Sequence, residues 1–132
     1  MKMGQIWKTD ESVPVTAVLL NEGVPLEEIK EGDTVKVTGL SKGRGFQGVV
    51  KRYGFHGGPK SHGQKHRLRA PGSNGPTAPQ RTIKGRRMGG HMGVEKFTIK
   101  NLEVISIEPE KRIVFVKGAI PGFVGGKVQI SK

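Results

Sequence analysis

From Thr34 to Val94 the chain carries no acidic residue. Within that stretch, from Lys42 to Arg87, lie Lys42, Arg44, Lys51, Arg52, Lys60, Lys65, Arg67, Arg69, Arg81, Lys84, Arg86 and Arg87. The other 11 of the 23 Lys and Arg are balanced by the 11 Asp and Glu, so one contiguous block carries the whole net charge of +12. His56, His62, His66 and His91 fall in the same region. Self-repulsion on that scale disfavours a compact state unless a polyanion neutralises it. A nucleic-acid backbone does so and gains entropy by releasing counterions. A membrane surface is the competing polyanion, but the block has no amphipathic helical period and too much glycine to lie on a membrane as a helix.

Composition narrows the rest. A chain of 132 residues suits one domain, or a small domain with an appendage. It has no cysteine, which excludes disulfides, Cys-ligated zinc, iron–sulfur clusters and a thiol nucleophile. No apolar run approaches the roughly 18 residues of a membrane span. Met1–Gln5 leads into no apolar core, so secretion is not expected and a reducing compartment is.

The two ends read as β structure. Met3–Trp7 and Val13–Leu20 are short β-rich runs separated by a turn cluster at Thr9–Ser12. Pro14 must sit at a strand's start or on an edge, because it has no N–H for a ladder. Pro25–Ile29 reads as one helical turn, with Pro near its start. Thr34–Leu40 alternates like a half-buried strand, and Lys96–Ile107 is a longer alternating run expected to bend or bulge. A turn at Glu108–Lys111, a return strand at Arg112–Gly118 and a last strand at Lys127–Ser131 complete the pattern. Gln47–Tyr53 suggests one more short strand. The rest of 41–93 reads as a loop of about 40 residues, and a loop that long is functional or ordered by a partner. The expectation is an all-β fold, with a body of residues 1–40 and 94–132 and an insertion of residues 41–93.

Catalysis finds little support. His56, His62 and His66 have a spacing that suits metal ligands, yet no acid in the block completes a ligand set, and every nearby charge is cationic. No carboxylate stands near a His–Ser pair in sequence. No enzyme activity, metal, cofactor or small-molecule substrate is expected. Nucleic-acid chemistry fits better. Gly39–Gly48 is glycine-rich around Lys42 and Arg44, so backbone N–H groups can approach phosphates closely; it also fits a flexible turn. In Lys51–Gly58, cations interleave with Tyr53 and Phe55. Such rings stack on unpaired bases, or else anchor the insertion by packing. Ser61–Arg69 is basic, and Pro71–Pro79 is poor in side-chain bulk.

Several motifs in order resemble one family. Ser41–Arg52, His62-Gly63, Arg67, Pro71–Ser73, Lys84-Gly85 and Met88–Gly93 are similar to the bacterial-type uL3 family of large-subunit ribosomal proteins. Lys117–Gly122 resembles that family's C-terminal signature, and Lys2–Trp7 with Val13–Thr16 its first hairpin. The resemblance implies a small Greek-key-type β-barrel, complete or incomplete, with a long basic, glycine-rich irregular extension. The chain looks like a shortened form, with Asn21–Pro25 standing where the family carries several dozen residues. The family extension runs through 23S-type rRNA toward the peptidyl transferase centre and aids subunit assembly. Carried over, its tip lies near residues 73–80. The implied rRNA contacts are Lys42, Arg44, Lys51, Arg52, His56, Lys60, His62, Lys65, His66, Arg67, Arg69, Ser73, Arg81, Lys84, Arg86, Arg87 and His91. Neighbouring ribosomal proteins are implied partners, any structural Mg²⁺ would belong to the rRNA, and the location is a cytoplasmic or an organellar ribosome. The rival reading is a β-barrel RNA chaperone acting off the ribosome.

Overall fold

The structure, a computed structural model, describes residues 3–8, 11–21 and 28–132. The chain forms two compact units, Met1–Lys42 with Val94–Lys132, and Gly43–Gly93. The first unit holds strands β1 (Met3–Lys8), β2 (Glu11–Leu19), β3 (Thr34–Leu40), β6 (Lys96–Glu108), β7 (Ile113–Lys117) and β8 (Val128–Ser131). The second holds β4 (Phe46–Gln47), the one-turn helix α1 (Val49–Tyr53) and β5 (Gly90–His91). Among the described residues no helix is long and apolar enough to cross a membrane.

The six strands of the first unit make one antiparallel sheet in the order β1-β2-β7-β6-β3-β8. Strand β8 returns beside β3, so β8-β3-β6-β7 is a Greek key. The sheet does not close, since β1 and β8 remain its edges; it is an incomplete barrel. Alternation decides which face is buried. Along β3, Val35, Val37 and Gly39 point inward and Thr34, Lys36 and Leu40 outward. Val35 and Val37 join Val18, Leu20, Ile29, Val104, Val114 and Val116 in one core, with Leu102, Ile107, Ile120, Val128 and Ile130 packed against it. β-Branched side chains suit this pleated interior.

Two local features follow from backbone chemistry. Strand β2 pairs with β1 from Glu11 to Thr16, but its ladder to β7 begins only at Val15. Pro14 stands just before that ladder, where no N–H is required, and its carbonyl accepts from the Gly118 N–H at 2.8 Å. The long strand β6 is bulged, its register shifting between Val104 and Ser106 against β7, and Asn101 takes a left-handed φ of 58°.

Among the described residues of the unit, three ion pairs lie at the surface: Lys132–Asp33 at 2.8 Å, Lys111–Glu108 at 3.0 Å and Lys117–Glu103 at 3.3 Å. The Lys132 hydrogen bond, helped by the Lys30 N–H at 3.0 Å, holds the Asp33 carboxyl below its ordinary range. Buried Thr16 donates to the Gly118 carbonyl at 2.6 Å.

Some expectations change. Glu11 and Ser12 are not turn residues but the start of β2, paired with Lys8 and Trp7. Thr9 and Asp10, and most of the helical turn expected at Pro25–Ile29, lie outside the described residues. Gln47–Tyr53 is not a strand: only Phe46–Gln47 is extended, and Val49–Tyr53 is helical. The two valines favour β structure, but Gly54 takes the left-handed φ of 73° that ends a helix, and its N–H donates to Val50 at 2.9 Å.

Candidate nucleic-acid interface

The insertion leaves β3 and returns into β6, two strands paired up to Leu40 and Lys96. Just beyond that pair, Ser41 N–H donates to Glu95 O at 2.9 Å and Val94 N–H to Ser41 O at 3.2 Å. The insertion therefore takes the place of a hairpin loop between adjacent antiparallel strands, which fixes both of its ends.

Inside Gly43–Gly93 the two arms pair again. Arg44 N–H donates to Met92 O at 2.9 Å, Met92 N–H to Gly45 O at 3.0 Å, and Phe46 and Gln47 face His91 and Gly90. The Gln47 amide donates back to the Arg44 carbonyl. Helix α1 follows, with Lys51 and Arg52 in its last turn, where cations suit the exposed carbonyls. Arg52 Nη1 donates to Met88 O at 2.9 Å, so α1 is tied to the returning arm. The Arg52 and Arg87 guanidinium carbons lie 5.0 and 5.6 Å from the Tyr53 ring centroid, and the Phe55 ring is 6.3 Å from that of Tyr53.

Residues 57–70 form a closed loop. Gly58 N–H donates to Leu68 O at 3.1 Å. The Gln64 amide oxygen accepts from Arg67 N–H at 2.8 Å and Leu68 N–H at 2.7 Å. Gly57 has a φ of 76°, and a β-carbon there would stand 1.9 Å from Leu68 O, so only glycine fits. Further along, Ser73 Oγ–H donates to Gly75 O at 3.2 Å, and the Arg86 guanidinium donates to the Ser73 carbonyl.

Of the candidate contacts, Lys42 belongs to the sheet unit and the others to Gly43–Gly93. All are exposed except half-buried Arg52. The structure brings Arg52 and Arg87 together on Tyr53, and Arg86 onto Ser73. His62 sits at a left-handed turn with Gly63, and His91 lies in β5. Among the described residues no three His, Asp or Glu side chains are grouped to hold a metal ion. No acid exists in the unit to pair with its cations, so any neutralising charge must come from outside it. Sequence reasoning overlooked Gln64, whose role as the acceptor inside a loop has no local signature. Val49, in helix α1, is the buried residue of the unit.

A family model described as Ribosomal protein L3 matches residues 8–115. The chain belongs to the ribosomal protein L3 family. Among similar members, a large ribosomal subunit protein uL3 of Chloroherpeton thalassium is 56% identical over 106 residues, covering 78% of this chain and 51% of the relative. One from Chlorobium limicola is 47% identical over 129 residues, covering 97% and 60%. One from Dehalococcoides mccartyi strain BAV1 is 50% identical over 109 residues, covering 82% and 53%. The chain thus spans about half to three-fifths of the length of these family members.

Proposed function

We propose that this chain is a structural constituent of the large ribosomal subunit that binds 23S-type rRNA through its basic insertion. The observation that carries this reading is the acid-free segment Gly43–Gly93, whose cations are exposed apart from half-buried Arg52. Phosphates supply the missing counter-charge to Arg44, Lys51, Lys60, Lys65, Arg67, Arg69, Arg81, Lys84, Arg86 and Arg87, and to Lys42. His56, His62, His66, His91 and Ser73 add hydrogen-bonding groups on the same exposed segment. Tyr53, flanked by two guanidinium groups, offers a stacking surface to an unpaired base.

Family membership supports the wider reading. The segment around residues 73–80 reaches through the rRNA toward the peptidyl transferase centre, and its binding helps the RNA fold during assembly. Neighbouring ribosomal proteins are its protein partners, the ribosome of the cytoplasm is its location, and no catalysis is assigned to it.

A salt-titrated binding assay tests this on large-subunit rRNA, with a length-matched unrelated RNA as competitor. With six to ten phosphate contacts, raising the salt from about 50 to 200 mM weakens binding by roughly 10³–10⁵. A preference for the rRNA that survives at the higher salt supports the ribosomal reading. Equal binding and simultaneous release of both RNAs contradicts it and points to a general RNA chaperone.

A further inference from the structure

Arg52 is the only lysine or arginine between Gly43 and Gly93 that is not exposed. Its surroundings are unlike those of a free phosphate ligand. Nη1 donates to the Met88 carbonyl at 2.9 Å. The guanidinium lies so close over Gly90 that a β-carbon there would stand 2.7 Å from Nη1 and 3.3 Å from Cζ. Its carbon also sits 5.0 Å from the Tyr53 ring centroid, and Arg87 lies 5.6 Å from that centroid. One side chain from the last turn of α1 therefore meets both the arm that returns to the sheet and the ring beside it.

We propose that Arg52 is a positioning residue, a clasp that fastens α1 to Met88–Gly90 and so presents Tyr53 and Arg87 to RNA. This rests on the RNA-binding reading above. Only arginine suits the place. Its planar fork donates in one direction while its face lies on a ring, whereas an ammonium group is a compact, strongly hydrated point charge with neither fork nor flat face. With no acid in the unit, a backbone carbonyl and a π face are what hold it. Gly90 leaves the room that the fork occupies.

Two variants separate a clasp from a phosphate contact. Arg52→Lys keeps the charge, and Gly90→Ala leaves every charge in place while pushing the guanidinium aside. A clasp predicts that each weakens binding to a large-subunit rRNA transcript by about fivefold, with the salt slope of the parent and unchanged thermal unfolding of the sheet. If Arg52 instead contacts phosphate, Arg52→Lys binds like the parent, Gly90→Ala has no effect, and Arg52→Gln makes the slope shallower by about one. That pattern overturns the proposal. In the free protein, the Tyr53 ring should shift the Arg52 and Arg87 side-chain protons upfield, and Gly90→Ala should abolish the Arg52 shift. Unshifted Arg52 protons in the parent overturn the clasp whether or not RNA binds. A parent that shows the shift but binds no RNA supports the clasp and overturns the RNA reading.

Discussion

In the sheet unit, Val18, Leu20, Ile29, Val35, Val37, Val104, Val114 and Val116 are buried together, and surface cations sit opposite acids. In Gly43–Gly93, Val49 alone is buried, no acid exists, and shape comes from glycines, a glutamine amide and arginines on carbonyls. The first unit is held by apolar surface removed from water. The second has little such surface, so its conformation rests on individual polar contacts and on backbone freedom. The two should break in different ways, and the unit less able to neutralise itself is the one suited to bind a polyanion.

The largest effect is expected in the core. Val37 is fully buried, and Val37→Asp places an unpaired charge there. We expect a loss of about 4 kcal/mol or more in a denaturant melt followed by the β-sheet signal. Retained stability would mean that the sheet interior is wetter than its burial indicates.

The next effect concerns a glycine of the basic unit. Gly57→Ala is expected to cost the 57–70 loop about 1–3 kcal/mol. Trypsin cleavage at Lys60 and Lys65 should accelerate while the sheet's melt stays put. A parallel loss of sheet stability would show that the units do not fail separately. In the sheet, Thr16→Val removes the bond to Gly118 and should cost about 1 kcal/mol.

The smallest effect concerns pH. The folded-state pKa of Asp33 is depressed, so its contribution is present above the unfolded value and fades as pH falls through the folded one. The pair with Lys132 lies at the surface, so the change should be slight. Asp33→Asn should remove that part of the acid sensitivity of the sheet's melting midpoint, and an unchanged pH profile would dismiss the pair.

Legibility in the sequence divides along the same line. Thr34–Leu40 alternates so regularly that strand β3 falls on those residues, and the expected bend of β6 corresponds to its shift near Val104. Strand order was not readable, because β2 beside β7 and β8 beside β3 join residues about a hundred positions apart. In the basic unit, charge was legible and geometry was not. Val49 and Val50 argued for a strand, while Gly54 ended a helix. The Arg52–Met88 contact spans 36 positions and leaves no local pattern. The family motifs pointed to RNA, but they did not distinguish cations that hold the unit's own shape from those left for a ligand.

Lysine footprinting on the chain bound to large-subunit rRNA tests the central claim most directly. Acylation of Lys51, Lys60, Lys65 and Lys84 is expected to fall several-fold in the complex, while ion-paired Lys111 and Lys117 react as in the free protein. If those four lysines stay as reactive with RNA as without it, the basic unit is not the binding element and the account fails.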